Sequence, residues 1–243
     1  MFLEHYTQGF VLGEKNIGEG DQVFTVYTKD FGKIGILGKA IRNINSKLRA
    51  GINLFYFVEI GFVQGRVQKT LISAFALNKY RNLRQSILKF RLAKRFAKTF
   101  QELTRNGQSD EAVWELIGQF FFQLNLLKLS LRSWVAFYYF FVWRLVKILG
   151  FCPGIKQCVV CGRKQGWLQN FDSLAGGLVC QNCLKLRSRE AARISKETIV
   201  FLNLVFSGNW PAIEKAEIIN TVFKDLQVIT KQYLNHLKSR TKL

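Results

Sequence analysis

The chain has 243 residues and a formal net charge of +20, with 36 lysines and arginines against 16 aspartates and glutamates. Hydrophobic residues make up 49% of the chain, which predicts a substantial core and excludes wholesale disorder. So large a basic excess favours a polyanionic partner, most commonly nucleic acid. An anionic membrane surface is the rival partner, and a solvated basic surface is the alternative without one.

Residues 1–79 contain short runs rich in β-branched and aromatic residues, separated by turns with glycine and aspartate. The pattern predicts five strands, at residues 7–15, 22–28, 33–39, 53–63 and 70–77. Five strands in this length fit a small closed barrel of the OB type. An SH3-like barrel fits the pattern almost as well.

Residues 80–150 change to helical periodicity. One helix is predicted from Leu83 to Leu103, a second after an N-cap at Ser109, and a third over about residues 130–149. Further helices are predicted from Ser188 to about residue 206 and from Trp210 to about residue 238. The apolar run at residues 133–143 has only eleven residues between two arginines, whereas a membrane span needs about 20.

Four of the five cysteines form two Cys-x-x-Cys pairs, Cys158 with Cys161 and Cys180 with Cys183. Two such pairs, eighteen residues apart, supply the four soft ligands of a closed tetrahedral zinc site, which is structural because no coordination position is open. The alternatives are two disulfides or a redox pair. No secretory signal opens the chain, so we expect a reducing, cytoplasmic location. Cys152 is predicted to be a buried thiol.

The predicted fold class is therefore α+β. A five-stranded OB-like barrel at residues 1–79 precedes a helical domain at residues 80–243, and a zinc-binding segment at residues 152–187 interrupts that domain.

A basic loop between the third and fourth strands, residues 38–51, mixes small polar residues with cations and contains no acid. Such a loop suits phosphate contacts, although a solvated connection is the alternative. The predicted nucleic-acid contacts are four loop cations and four others at the third strand and the first helix: Lys39, Arg42, Lys47, Arg49, Lys33, Arg84, Arg91 and Arg95. Aromatic candidates for base stacking, each of which also suits the core, are Phe24, Tyr27, Phe55 and Tyr56.

Catalytic motifs are not evident in the sequence. The two histidines, His5 and His236, lie near opposite ends of the chain, and acids are sparse. We therefore expect a binding protein and not an enzyme. Besides DNA binding, a zinc-ribbon RNA- or ribosome-binding protein and a protein-binding adaptor remain open.

Three stretches resemble the bacterial RecO family. Residues 7–34 are similar to the family's opening barrel strands, and residues 38–60 resemble its basic loop, with Lys39-x-x-Arg42 and Ser46-Lys47-x-Arg49. The third stretch, CVVCG followed by FD and GGLVCQNC, is similar to the zinc motif of many members. This chain departs from the family at residues 40 and 41, where alanine and isoleucine stand and members often carry a glycine.

The resemblance implies a recombination mediator that binds single- and double-stranded DNA and anneals complementary strands. It also implies that, with RecR, the protein helps RecA replace single-strand-binding protein on DNA. A cytoplasmic, nucleoid-associated location with no membrane partner follows from the same resemblance.

Overall fold

The chain divides into two compact units, Met1–Lys128 and Leu129–Leu243. The structure is a computed structural model that describes residues 3–127, 133–164, 168–187, 191–215 and 219–241. The first unit contains the predicted barrel together with the helices up to Leu126. The expected boundary between residues 79 and 80 marks the change from strands to helices along the chain. The boundary between the two compact units lies later, after residue 128.

Five strands of the first unit close into a barrel. The strands are β1 (Glu4–Ile17), β2 (Asp21–Thr28), β3 (Gly32–Gly38), β4 (Phe57–Gln64) and β5 (Lys69–Asn78). Their order around the barrel is β1-β2-β3-β5-β4, and antiparallel pairing of β4 with β1 closes the ring. The β3–β5 pair is parallel and short. The predicted α+β class and OB-like barrel are confirmed.

Alternating side chains of these strands fill the barrel. On β4, for example, Val58, Ile60 and Phe62 are fully buried, because every second side chain of a strand points to the same face. Each buried side chain of this size contributes about 1.5–3 kcal/mol relative to an exposed one. The predicted start of the fourth strand is wrong: residues 53–56 form a turn in which Phe55 has φ +63°.

Three helices complete the first unit: α1 (Arg81–Gln85), α2 (Ile87–Leu103) and α3 (Glu111–Leu126). The N-cap of α3 is Asp110 and not the predicted Ser109, because the Asp110 carboxylate accepts a hydrogen bond from the Val113 amide at 2.9 Å. The α3 helix packs on the barrel through rings, and the Phe10 and Phe121 centroids lie 5.6 Å apart.

The second unit consists of helices and a small sheet. Its elements are α4 (Ser133–Ile148), β6 (Asn170–Asp172), β7 (Gly177–Val179), α5 (Gln181–Arg187), β8 (Ala192–Arg193), α6 (Lys196–Ser207), α7 (Trp210–Lys215) and α8 (Asn220–Thr241). The predicted helix start at Ser188 lies outside the described residues. The helix itself begins after Ser195, whose side chain accepts from the Thr198 amide, because the chain between is partly strand.

The α4 helix forms the centre of the second unit. Its Trp143 is buried, donates to the Thr230 hydroxyl of α8 at 3.0 Å and stacks on Tyr233 at 5.4 Å. The aromatic run of this helix is therefore core, as its length predicted. Over the described ranges, no helix combines the length and apolar character that a membrane crossing requires.

Candidate metal centre and nucleic-acid surface

The first Cys-x-x-Cys pair lies in a tight turn. The Cys158 carbonyl accepts from the Gly162 amide at 2.9 Å, and the Cys158 amide donates to the Arg163 carbonyl at 3.1 Å. Gly162 has φ +71°, a conformation that glycine adopts without steric cost. The turn thereby directs the two thiols of the pair to one side.

A short hairpin, β6 and β7, carries the second pair. The Asp172 carboxylate accepts from the amides of Leu174 and Ala175 at 2.9 and 3.0 Å and so fixes the connecting turn. The β7 strand lies directly against the segment before the first pair, since a Cβ on Gly177 would come within 2.2 Å of the Gly154 carbonyl oxygen. This close approach brings Cys180, just after β7, and Cys183, in the first turn of α5, onto the first pair.

The four thiols fit a single metal ion. Their sulfur atoms all lie within 4.8 Å of one another. The Cys161 and Cys180 sulfurs are 3.8 Å apart, and a tetrahedron with Zn–S bonds of about 2.3 Å has edges of about 3.8 Å. A disulfide bond would need a separation of about 2.05 Å, and all five cysteines are free. The cluster could therefore hold a metal ion, and four thiolates are a donor set typical of zinc.

The surroundings of the thiols favour ionisation at two positions. Burial raises the pKa of Cys158, but hydrogen bonds from backbone N–H groups outweigh that effect. They include the Cys180 amide, 3.3 Å from the sulfur, and the pKa falls to about 6. Hydrogen bonds from the backbone and thiol of Cys183 lower the pKa of Cys180. The pKa of Cys183 is raised to about 12 because its thiol bonds to Cys180, and a metal cation bound among the four sulfurs would oppose that effect.

Cys152 lies outside the cluster and is exposed. The prediction of a buried thiol is therefore wrong. The residue follows the end of α4, where the chain turns toward the cysteine pairs and leaves its side chain at the surface.

The basic loop of the first unit is held firmly on the barrel. The Arg42 amide donates to the Gly20 carbonyl at 3.0 Å, and the Ala40 amide donates to the Asp21 carboxylate at 2.7 Å. Ile41 and Ile52 insert into the barrel core and are 2% and 3% exposed. The loop therefore has a defined conformation.

The four predicted loop cations all project outward: Lys39, Arg42, Lys47 and Arg49 are exposed. The Arg42 guanidinium donates to the Gly18 carbonyl at 3.2 Å, which holds it near the β1–β2 turn. Ala40 has φ +49°, in the region where a side chain is strained. A glycine would adopt this backbone conformation without that strain.

The open end of the barrel forms a cleft of about 430 Å³ beneath this loop, the barrel mouth. Its lining includes Arg42 and Arg49 from the loop and Glu14 from β1. A bulge between Val11 and Gly13 determines which β1 residues face the mouth. Regular alternation from Val11 would direct Gly13 and Lys15 inward, but the extra residue reverses the parity and places Glu14 opposite Phe24, on the inner face.

A second cleft of the first unit, of about 730 Å³, lies along α2 and is called the α2 cleft. It is lined by Leu12, Gly13, Glu14, Leu54, Lys94, Arg95, Lys98, Gln101 and Glu102. Of the predicted helix cations, Arg95 lines this cleft and Arg91 is exposed outside its lining. Arg84 instead donates to the Leu54 carbonyl at 2.8 Å and lies over the Tyr56 ring at 4.7 Å.

Lys33 has a different environment from the other predicted cations. Its side chain is 9% exposed, and its ammonium group donates to the carbonyls of Gln101 and Thr104 at the end of α2. Burial lowers the pKa of Lys33. This placement assigns Lys33 to the contact between β3 and α2, so we do not include it in the proposed nucleic-acid surface.

The aromatic stacking candidates are mostly core residues. Phe24, Tyr27 and Phe55 are each 1% exposed, and Tyr56 is half-buried beneath Arg84. Phe24 lies on the inner face of β2, in the barrel core. Tyr27 is three residues further along and faces the other side of the strand, where it packs against Phe100 of α2. Bases cannot stack on the three buried rings.

Sequence reasoning did not single out Glu14 or Lys94. The parity of Glu14 depends on the bulge, whose one signal in the sequence is a glycine, Gly13, within a strand pattern. Lys94 is one more cation on an outer helix face, and nothing in its spacing indicates a cleft.

Comparison with known proteins identifies the family. A family model described as Recombination protein O N terminal matches residues 1–80, and one described as Recombination protein O C terminal matches residues 84–242. The chain is similar to DNA repair protein RecO of Alkaliphilus metalliredigens, with 26% identity over 228 residues, 94% of this chain and 91% of the relative.

Two other relatives carry the same name. The protein of Acetivibrio thermocellus is 26% identical over 239 residues, which cover 98% of this chain and 94% of the relative. That of Listeria monocytogenes is 22% identical over 199 residues, 82% of this chain and 76% of the relative. With the two family models covering the barrel and the helices that follow it, the chain belongs to the RecO family.

Proposed function

We propose that this protein is a DNA-binding recombination mediator in DNA repair, acting in the cytoplasm at the nucleoid. It binds single- and double-stranded DNA, anneals complementary strands and, with RecR, helps load RecA on DNA coated by single-strand-binding protein. Family membership supports this proposal, because the curated relatives are named DNA repair proteins. The role requires binding and no catalytic group.

The proposal that the protein binds DNA rests mainly on the ordered conformation of the basic loop, residues 38–51. Its backbone is fixed by hydrogen bonds and by two buried isoleucines, while its four cations remain exposed. Cations held in place bind phosphates with a smaller loss of side-chain and loop entropy than cations on a mobile segment. Phosphate contacts carry no sequence information, which suits a protein that must act on any sequence.

Annealing follows from the same charges. Two complementary strands repel each other through their phosphates, and bound cations reduce that repulsion and release counterions. Lys39, Arg42, Lys47 and Arg49 are the residues to which we assign this effect.

We also propose that the four-cysteine cluster holds one structural zinc ion. Its ligands are Cys158, Cys161, Cys180 and Cys183, and the observed sulfur spacing supports a tetrahedral site. Four protein ligands leave no position for substrate, so the ion orders the two cysteine turns and the β6–β7 hairpin, here called the knuckle, and performs no chemistry.

The test is a variant in which the four loop cations are replaced by alanine. We expect weaker binding of single-stranded DNA, with the slope of log affinity against log salt reduced by about 3, since each single-strand phosphate contact contributes about 0.7. The matched control replaces four other exposed cations, Lys29, Arg66, Lys224 and Lys231, and loses the same net charge. It should retain most of the slope.

A loop variant with the salt slope of the control would contradict the assignment to this loop. Annealing of complementary oligonucleotides, followed by fluorescence quenching, extends the test to function. Acceleration that fades with salt is expected for the native protein. A clear preference for structured RNA over single-stranded DNA at matched salt would instead favour RNA binding.

A further inference from the structure

Two clefts of the first unit share a wall. The barrel mouth and the α2 cleft are both lined by Glu14 of β1. On the opposite side, the consecutive residues Asn53 and Leu54 line one cleft each. The two clefts are therefore adjacent, with Glu14 and the turn before β4 at their common border, within a single compact unit.

Cations lie at both ends of this combined space. The mouth contributes Arg42 and Arg49, and the α2 cleft contributes Lys94, Arg95 and Lys98. Acids are fewer: Glu19 lines the mouth and Glu102 the α2 cleft, while Glu14 lies where the two meet. Apart from the shared Glu14, the mouth thus has two cations against one acid and the α2 cleft three cations against one acid, with Glu14 between them.

We infer that the barrel mouth and the α2 cleft form one groove for the backbone of a single-stranded nucleic acid, with Glu14 as a repulsive element at its middle. The inference rests on the proposed function and adds the path of the strand. It also assigns binding roles to Lys94 and Lys98 and a weakening role to Glu14.

The lining explains why the contacts are made to the backbone. The only aromatic residue among those lining the two clefts is Phe24, which is 1% exposed and offers no ring face to a base. The exposed groups are guanidinium and ammonium ions, amides and carboxylates. Binding in this groove is therefore expected to depend little on base identity.

The position of Glu14 has a consequence for strand release. A carboxylate near the bound phosphates repels them, so a strand that spans the groove is held less tightly than its cations alone would hold it. An annealing protein must give up the strand once its complement has paired, and a repulsive group in the groove assists that step. The β1 bulge, which turns Glu14 and not Lys15 toward the mouth, is the structural cause.

The experiment compares two groove variants with matched controls in the full-length, zinc-loaded protein. Glu14→Gln is paired with Glu59→Gln, an exposed acid of β4 that lines neither cleft, and Lys94→Ala/Lys98→Ala is paired with Lys29→Ala/Arg66→Ala. Binding of fluorescent oligothymidine of about 4 and about 12 nucleotides is titrated across a range of salt, since single-strand sites span about 4–16 nucleotides. Thermal melting checks that each variant folds.

Glu14→Gln should bind the longer strand about fivefold more tightly at low salt, the effect of one unit charge about 4 Å away in water. Lys94→Ala/Lys98→Ala should weaken binding of the longer strand and lower its salt slope by about 1.4. It should affect the shorter strand less, because that strand can occupy the mouth alone. Neither control should change binding comparably.

The outcomes separate this inference from the proposed function. If the four-residue loop variant loses binding but both groove variants match their controls, the groove is overturned and DNA binding by the loop stands. If the native protein binds no DNA, both are overturned. Groove changes that alter binding of polyglutamate but not of oligothymidine would show an acidic peptide as the occupant and would also overturn the inference.

Discussion

The barrel and the cysteine knuckle achieve a defined conformation by different means. The barrel distributes its stability over five strands and a core whose members include Val26, Ile36 and Phe62, each fully buried. The knuckle contains β6 and β7, of three residues each, and β8, of two residues, pairs with β6. Strands of that length provide few ladder hydrogen bonds, so the small sheet is marginal by itself.

This difference assigns separate roles to the two regions. The basic loop is fixed by Ile41 and Ile52 in the barrel core, so its order does not require the metal. The knuckle converges on four thiols that could hold a metal ion, so we expect its order to depend on the zinc ion proposed there. The knuckle is also tied to its own unit, because Phe171 of β6 is buried against Trp143 and Tyr233.

Removal of the metal should have the largest effect, and it should be confined to the knuckle. Structural zinc in finger peptides binds with about 10–16 kcal/mol, which exceeds any single apolar contact. Chelation or Cys180→Ser should abolish the bound zinc and remove hydrogen-exchange protection at the Val159 and Leu178 amides. Barrel amides such as those of Ile36 and Val58 should keep their protection. Metal analysis and hydrogen exchange measured by mass spectrometry check both expectations.

Cys152→Ser is the matched control for the metal experiment. It removes an exposed thiol outside the cluster and should leave about one zinc per chain and normal protection. Full zinc content in Cys180→Ser would contradict the four-ligand assignment. Loss of barrel protection on chelation would contradict the independence of the two regions.

The converse experiment disrupts the barrel and spares the knuckle. Gly32 has φ +60°, and a Cβ there would lie 2.1 Å from the Gln108 carbonyl oxygen. The left-handed conformation alone costs an L residue about 1–2 kcal/mol, and the clash with backbone adds to it. Gly32→Ala should therefore lower the free energy of unfolding by about 3 kcal/mol or more while zinc content stays at about one per chain. Denaturant unfolding and metal analysis test this.

Gly35 provides the control on the same strand. No atom lies within 4 Å of a Cβ placed there, so Gly35→Ala should be neutral or stabilise by up to about 1 kcal/mol. Equal destabilisation by the two substitutions would show that the close approach of Gly32 to Gln108 does not affect the free energy of unfolding.

The barrel and the knuckle could both be predicted from the sequence, because each follows from local patterns. The cluster of four cysteines could be predicted from the local spacing of its two pairs. The barrel could be predicted from turn residues and strand alternation, so neither needed contacts that are distant in sequence. The resemblance likewise located the cationic loop by its Lys-x-x-Arg and Ser-Lys-x-Arg patterns. Ala40 lies within the Lys39-x-x-Arg42 pattern and has a positive φ, so the pattern marks a turn of the backbone as well as two cations.

Features that depend on contacts distant in sequence could not be predicted. Lys33 looks like any exposed cation until α2 brings the carbonyls of Gln101 and Thr104 to its ammonium group. Phe55 looks like a strand residue, but the turn before β4 places it with positive φ in the core. Glu14 faces the mouth only because of the β1 bulge.

Alkaline pH should produce the smallest effect, and it should weaken the barrel unit in particular. Burial raises the pKa of Tyr27 and of Tyr80 to about 12, against about 10 in the unfolded chain. A raised pKa contributes stability that is complete below pH 10 and is lost as pH rises toward 12, because the unfolded state releases its protons first. The free energy of unfolding of the native protein should therefore fall over this range.

The experiment replaces one of the buried tyrosines. Tyr27→Phe should reduce the fall, whereas the control Tyr56→Phe, which changes a half-buried ring, should reduce it less. Urea unfolding at pH 9, 10 and 11 measures the slopes, and equal slopes for the native protein and Tyr27→Phe would contradict the expectation. The metal centre responds oppositely, since thiolate ligands are favoured as pH rises, so mild alkali separates the two regions of the molecule.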